Sequence, residues 1–238
     1  MFRKIYLGIS SLFASALLYA ASGINVTPLI VDFSPTGAKF SDISVINMSS
    51  SSTAYVKVTL TRVDNPGMPT EKNIPFTNNP QTFGLVASPV RLAIPPSQLR
   101  RIRLLPLIHD NAQDVVYEVN ITPVTGEMES FNAGNQIQAG LQVIVGYATK
   151  VFIRPLNAQA VVSITREGNL ISISNTGNSN VLLNNGEECS SPSQCSPLPL
   201  PTHRLYSGNT WTFNAPNAEP VQFEESFING QTKILKSS

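Results

Sequence analysis

Apolar and polar residues alternate with a period of two along much of the chain. Val56, Val58 and Leu60 alternate with Lys57, Thr59 and Thr61, the pattern of a strand with one buried face. Ile43 with Val45, Ile102 with Leu104, Ile171 with Ile173 and Trp211 with Phe213 repeat it. Turn formers punctuate these runs at Asn65-Pro66-Gly67, Ser88-Pro89, Pro95-Pro96 and Asn175-Thr176-Gly177-Asn178. No window carries a convincing helical period. Many short strands at such spacing predict an all-β chain built of sandwiches.

The most apolar strand candidate spans residues 141–154, LQVIVGYATKVFIR, and is long against the usual five or six residues. Leu141, Val143, Val145 and Tyr147 share one face, while Gln142, Ile144 and Gly146 point the other way. A strand apolar on one side is either ordinary core or an edge left open for a partner. Residues 127–140 ahead of it are polar and contain glycine, and are expected to form a mobile loop. A boundary near Arg154-Pro155 divides a first sandwich, 24–154, from a second, 155–238.

The N-terminus follows a different pattern. Arg3 and Lys4 precede an apolar run over residues 5–18, and small residues follow at Ala20, Ala21, Ser22 and Gly23. This is the layout of a secretory signal, residues 1–23 with cleavage near 20–23; a membrane anchor is the alternative. No later run approaches the roughly 18 apolar residues of a membrane-spanning helix, so no membrane insertion is expected. Without Arg3 and Lys4 the chain keeps 14 basic and 15 acidic residues, a balance that attracts neither nucleic acid nor anionic lipid.

Export changes the reading of the two cysteines. In an oxidising compartment Cys189 and Cys195 are expected to form a disulfide closing a loop of about seven residues, worth roughly 2–2.5 kcal/mol by chain entropy. A zinc site from Cys189, Cys195 and His203 is the competing reading, but its spacing matches no compact motif. Catalysis has little material. His109-Asp110 lacks a Gly-x-Ser-x-Gly nucleophile elbow, and the neighbours in Glu187-Glu188 and Glu224-Glu225 face opposite sides of a strand. There is no phosphate-binding glycine loop and no acidic cluster for calcium. The expectation is a protein that is not an enzyme and needs no cofactor or metal.

Gly84-Leu85-Val86-Ala87-Ser88-Pro89, Ile94-Pro95-Pro96 and Arg101-Ile102-Arg103-Leu104 occur in the order seen in the first domain of periplasmic fimbrial chaperones. Lys150-Val151-Phe152-Ile153-Arg154-Pro155 is similar to the end of that family's long seventh strand. The chain thus resembles the PapD-like superfamily over nearly all its mature length. Arg62-Val63-Asp64-Asn65-Pro66-Gly67, Asn175-Thr176-Gly177-Asn178 and the Cys189/Cys195 loop are most similar to the alternate-clade branch serving colonisation-factor-type fimbriae.

The resemblance implies two immunoglobulin-like β-sandwich domains set at an angle with a cleft between them. It implies an ATP-independent chaperone in the periplasm of a Gram-negative bacterium. Such a chaperone caps pilin subunits by donor-strand complementation and delivers them to an outer-membrane usher, a form of strand addition. The implied donor stripe is Leu141, Val143 and Val145, and Lys150 is the implied anchor for the subunit's C-terminal carboxylate; a solvated strand lysine is the plainer alternative. Arg154 and Asp114 form the implied interdomain salt bridge, against the alternative of two unrelated surface charges. When free, the edge could cap itself by dimerising.

The family's first strand carries Thr-Arg, and that Arg is a second carboxylate anchor. Here the pair is Thr27-Pro28, which leaves Thr27, Thr149, Arg166 and Arg62 as candidates. Two other readings compete with the chaperone: a structural pilin or adhesin subunit, and a secreted two-domain module binding sugar or peptide.

Overall fold

The computed structural model describes residues 23–124, 144–191, 193–227 and 230–237. The first ten strands are β1 (Ile24–Thr27), β2 (Ile30–Phe33), β3 (Ser41–Asn47), β4 (Ala54–Asp64), β5 (Lys72–Pro75), β6 (Leu85–Ser88), β7 (Arg91–Ile94), β8 (Leu99–Pro106), β9 (Val115–Val124) and β10 (Tyr147–Ile153). They form two sheets. One has the order β1-β3-β8-β6; the other runs β2-β10-β9-β4-β5, with β7 also paired to β4.

The period-two pattern becomes the core. In β4, Val56, Val58 and Leu60 are buried while Tyr55, Lys57 and Thr59 are exposed. Ile43, Val45, Ile102 and Leu104 of the first sheet meet Val58, Leu60, Val119, Ile121 and Val151 of the second in one cluster. Burial of each such side chain contributes about 1.5–3 kcal/mol. The β4–β5 turn needs left-handed backbone at Asn65 (φ 53°) and Gly67 (φ 72°), two residue types that tolerate it. A single turn of helix, α1 (Pro80–Phe83), is capped by the Asn79 side chain at its start and by left-handed Gly84 at its end.

The remaining strands are β11 (Val162–Glu167), β12 (Leu170–Asn175), β13 (Val181–Ser191), β14 (Gln194–Pro197), β15 (His203–Leu205), β16 (Thr210–Asn214), β17 (Val221–Ser226) and β18 (Thr232–Lys236). They make a sheet of order β11-β12-β16 and another of order β14-β13-β17-β18 with β15 paired to β13. Ile171, Ile173, Leu183, Leu205 and Phe223 form this second core. The chain is therefore two β-sandwich domains in tandem, with β10 the last strand of the first and β11 the opening strand of the second. Among the described residues, no helix is long and apolar enough to cross a membrane.

Cys189 and Cys195 are disulfide-bonded (S–S 2.08 Å) and pair directly across β13 and β14. The zinc reading fails here: the bond consumes both thiols. The Pro-rich surroundings of His203 predict a loop, but the residue lies in a strand. It begins β15 and stacks on Trp211 with ring centroids 4.3 Å apart. Asn175, at the head of the Asn-Thr-Gly-Asn turn, is buried, and its amide donates to the carbonyls of Ser179 and Leu205.

The strand expected over residues 141–154 is shorter. Regular pairing begins at Tyr147, and residues 144–146 lie outside any strand. The register Tyr147↔Ile121 would set Val145 opposite Pro123, which has no N–H to give to the ladder. Residues 141–143, residues 1–22 of the expected signal segment 1–23 and the expected loop 127–140 lie outside the described residues.

Candidate functional site

The second sheet has two faces of different character. Tyr117, Val119, Val151 and Ile153 point into the sandwich, so their strand neighbours point away from it. The outward face is laid out in rungs. Phe152, Val116 and Val63 are directly opposed across β10, β9 and β4, and Lys150, Glu118 and Thr61 form the next rung. Ala148, Asn120 and Thr59 follow.

The first rung is apolar and closed. Phe152, Val116 and Val63 are buried as a cluster, with Tyr206 of the second sandwich packed against it. The Phe152 and Tyr206 ring centroids are 6.4 Å apart. The second rung is polar and open to solvent. Lys150 Nζ donates to Glu118 Oε1 at 2.7 Å, with the Lys150 side chain 40% and the Glu118 side chain 26% exposed. Burial alone would lower the Lys150 pKa, but the Glu118 hydrogen bond and the nearby Tyr206, Glu118 and Glu71 raise it above its usual value.

Beyond Phe152 lies a buried polar hub. Arg154 is 4% exposed and forks onto Asp32, with Nε to Oδ1 at 2.9 Å and Nη2 to Oδ2 at 2.6 Å. Its Nη1 donates to Asp114 Oδ2 at 2.9 Å, and also to Ser179 Oγ and the Asn180 carbonyl. Asp114 accepts in turn from the Asn180 backbone N–H at 2.6 Å. Asp32, Asp114 and Arg154 precede β11 in the chain, whereas Ser179 and Asn180 follow β12, so the hub joins the two sandwiches. Arg204 donates to the Asn180 side chain and lies 4.8 Å over the Phe152 ring. Burial raises the Asp32 pKa, and the opposing hydrogen bond and charge of Arg154 do not fully offset it.

The β4–β5 turn provides another junction. Asn209 of the second sandwich donates its amide to the Pro66 carbonyl at 3.0 Å. A Cβ at Gly67 would run into that amide and the Tyr206 ring, so glycine is required by space as well as by φ.

The free edge lies beside the Lys150–Glu118 rung. β2 pairs in parallel with β10 only over Lys150↔Ile30 to Ile153↔Phe33. The Lys150 N–H donates to Leu29 O and the Arg154 N–H to Phe33 O, so even-numbered amides of β10 face the β2 side. Ala148 presents its amide on that same side, before β2 begins. Among the described residues no strand pairs there with 144–149. Val145 is exposed. Leu141 and Val143 of the expected stripe lie outside the described residues.

The structure brings Lys150, Arg154 and Asp114 onto one side of the sheet. Of the four candidates for a second anchor, Thr27 is exposed at the end of β1 and the other three are committed elsewhere. Thr149 donates to Pro28 O at 3.1 Å. Arg62 forks onto Asp64, and Arg166 donates to the carbonyls of Gly168, Asn217 and Glu219 in the second sandwich. Sequence reasoning missed Asp32, Glu118, Ser179, Asn180, Arg204 and Tyr206. Only Asp32 carried a signal, as a lone charge in the apolar Ile30–Phe33 run.

No protein-family model matches the sequence, and no curated protein does. Solved structures do match. The fold is similar to the Class 5 fimbriae chaperone CfaA, with TM-score 0.66 and 19% identity over 91% of this chain and 99% of that one. It is similar to the E. coli chaperone DraB, with TM-score 0.63 and 14% identity over 91% and 97% of the two chains. A chain from the complex of the Salmonella enterica SafA pilin with the SafB chaperone matches with TM-score 0.63 and 13% identity, covering 91% and 96%. The chain thus has the two-sandwich fold of these solved chaperones.

Proposed function

We propose that the chain is an exported periplasmic chaperone of fimbrial subunits, acting without ATP and passing its cargo to an outer-membrane usher. The segment leading into β10 lends its edge to an incomplete pilin, with Leu141, Val143 and Val145 filling the subunit's groove. Lys150 receives the subunit's C-terminal carboxylate and so sets where pairing starts. The observation that carries this reading is the β10 edge, paired on its β2 side only from Lys150 onward, with a half-exposed lysine at the point where pairing ends.

The physical logic is strand addition: main-chain bonds supply register and alternate side chains supply apolar contact. Three buried aliphatic side chains give a gross gain of about 1.5–3 kcal/mol each, before the costs of association. A charge-assisted bond at Lys150 adds about 1.5–3 kcal/mol. The likeness in fold to fimbrial chaperones supports the same assignment.

Recovery of tagged protein from the periplasm of cells making its fimbriae tests the reading. Wild type is expected to bring down a small pilin-like polypeptide, and Lys150→Asp and Val143→Glu are each expected to lose it. A pilin-like partner that survives both changes would refute the site assignment. No such partner with wild type would favour the binding-module reading instead.

A further inference from the structure

Lys150 is already occupied. Its ammonium is 2.7 Å from Glu118 Oε1, the length of a full charge-assisted hydrogen bond, although both side chains reach solvent. Glu118 cannot withdraw with its backbone, because β9 is hydrogen-bonded on both sides, to β10 and to β4. Its carboxylate takes one of the three donors of the ammonium, on the rung next to the open edge. Glu71 adds a second negative charge near Lys150. An arriving anion therefore meets a neutralised lysine.

We infer that Glu118 is an internal carboxylate that occupies Lys150 in the free protein and must be displaced by the ligand's carboxylate. This rests on the reading of Lys150 as a carboxylate anchor and adds a competitor to it. The arrangement sets specificity as well as strength. A weak or stray anion cannot outbid a tethered carboxylate, whereas one delivered by a strand already pairing along β10 arrives at high effective concentration. Glu118 is thus a residue that makes carboxylate capture conditional on strand pairing.

The inference is tested with sodium acetate as probe, at ionic strength matched with sodium chloride. The side-chain nitrogen resonance of Lys150 is followed by NMR in wild type and in Glu118→Gln. Acetamide serves as the uncharged control, and melting curves check that each protein is folded. The variant is expected to bind acetate about fivefold more tightly than wild type, the scale of one exposed ion pair, with acetamide inert in both. Equal acetate affinity in the two proteins would overturn the inference while leaving Lys150 an anchor. A Lys150 resonance indifferent to acetate in both would overturn the anchor reading and the inference with it. If Glu118→Gln fails to fold, Glu118→Ala takes its place under the same criterion. Acetate binding that follows the inference, with no subunit recovered from the periplasm, would leave this site standing and remove the proposed cargo.

Discussion

Replacing Arg154 by alanine is expected to destabilise the folded chain by about 3–5 kcal/mol, the scale of a buried ion pair broken from one side. The guanidinium serves two carboxylates at once, and Asp114 is as buried as Arg154 itself. Removing it strands both negative charges in a largely buried site and cuts the bonds to Ser179 and Asn180. The loss depends on pH with a definite sign. The Asp32 pKa is raised by burial even with Arg154 in place, and deleting Arg154 removes the two largest of the influences that lower it, leaving only the charge of Arg204. The folded variant then holds a proton that the unfolded chain has released, so its stability rises as pH falls through the folded-state pKa. Urea denaturation at pH 7 and pH 5 should show a deficit that narrows at the lower pH. A deficit independent of pH would mean that the carboxylates do not carry it.

Phe152→Ala is expected to cost about 3–5 kcal/mol, as for other buried aromatic truncations. The ring is 1% exposed and is the centre of the apolar rung with Val63, Val116 and Tyr206. It also supports two cations, Arg204 at 4.8 Å and Arg154 at 5.4 Å. Because the ring and the polar hub share Arg154, the two losses should not add. A double-mutant cycle on Phe152→Ala and Arg154→Ala should show a coupling of at least about 0.5 kcal/mol, the double variant losing less than the sum. Strict additivity would show that the hub and the apolar rung hold the sandwiches independently.

Much of the fold was legible from period-two alternation alone, because burial in a sandwich acts on alternate residues. Val56, Val58 and Leu60 are buried as their spacing predicts, and so are Ile171 with Ile173 in the smaller second core. The cysteine loop was legible from spacing and the expected compartment. What alternation could not supply was register. Asp32 and Arg154 are 122 residues apart in sequence and meet only because β2 and β10 pair in parallel. Glu118 reaches Lys150 for the same kind of reason, through the antiparallel pairing of β9 with β10.

Two sequence expectations failed for local reasons. β15 is three residues long, too short to show a period, so His203 looked like a loop residue. The strand over 141–154 was drawn from its own apolar pattern, which holds no information about Pro123 on the neighbouring strand. The resemblance to fimbrial chaperones pointed to Arg154, Asp114 and Lys150, and the first two meet at 2.9 Å. It could not point to Arg204 or Tyr206, which come from the second sandwich.

The most direct measurement of the central proposal is hydrogen exchange at the Ala148 and Gly146 amides, with and without the co-purified subunit. Strand alternation places Ala148 on the open side of β10, next to the Lys150 amide that β2 already holds, and Gly146 is the residue that leads into β10. Free protein should exchange them quickly. The complex should protect both, because a strand added to that edge takes their N–H groups into its ladder. A stable complex in which Ala148 and Gly146 exchange as fast as in the free protein would contradict the donor edge.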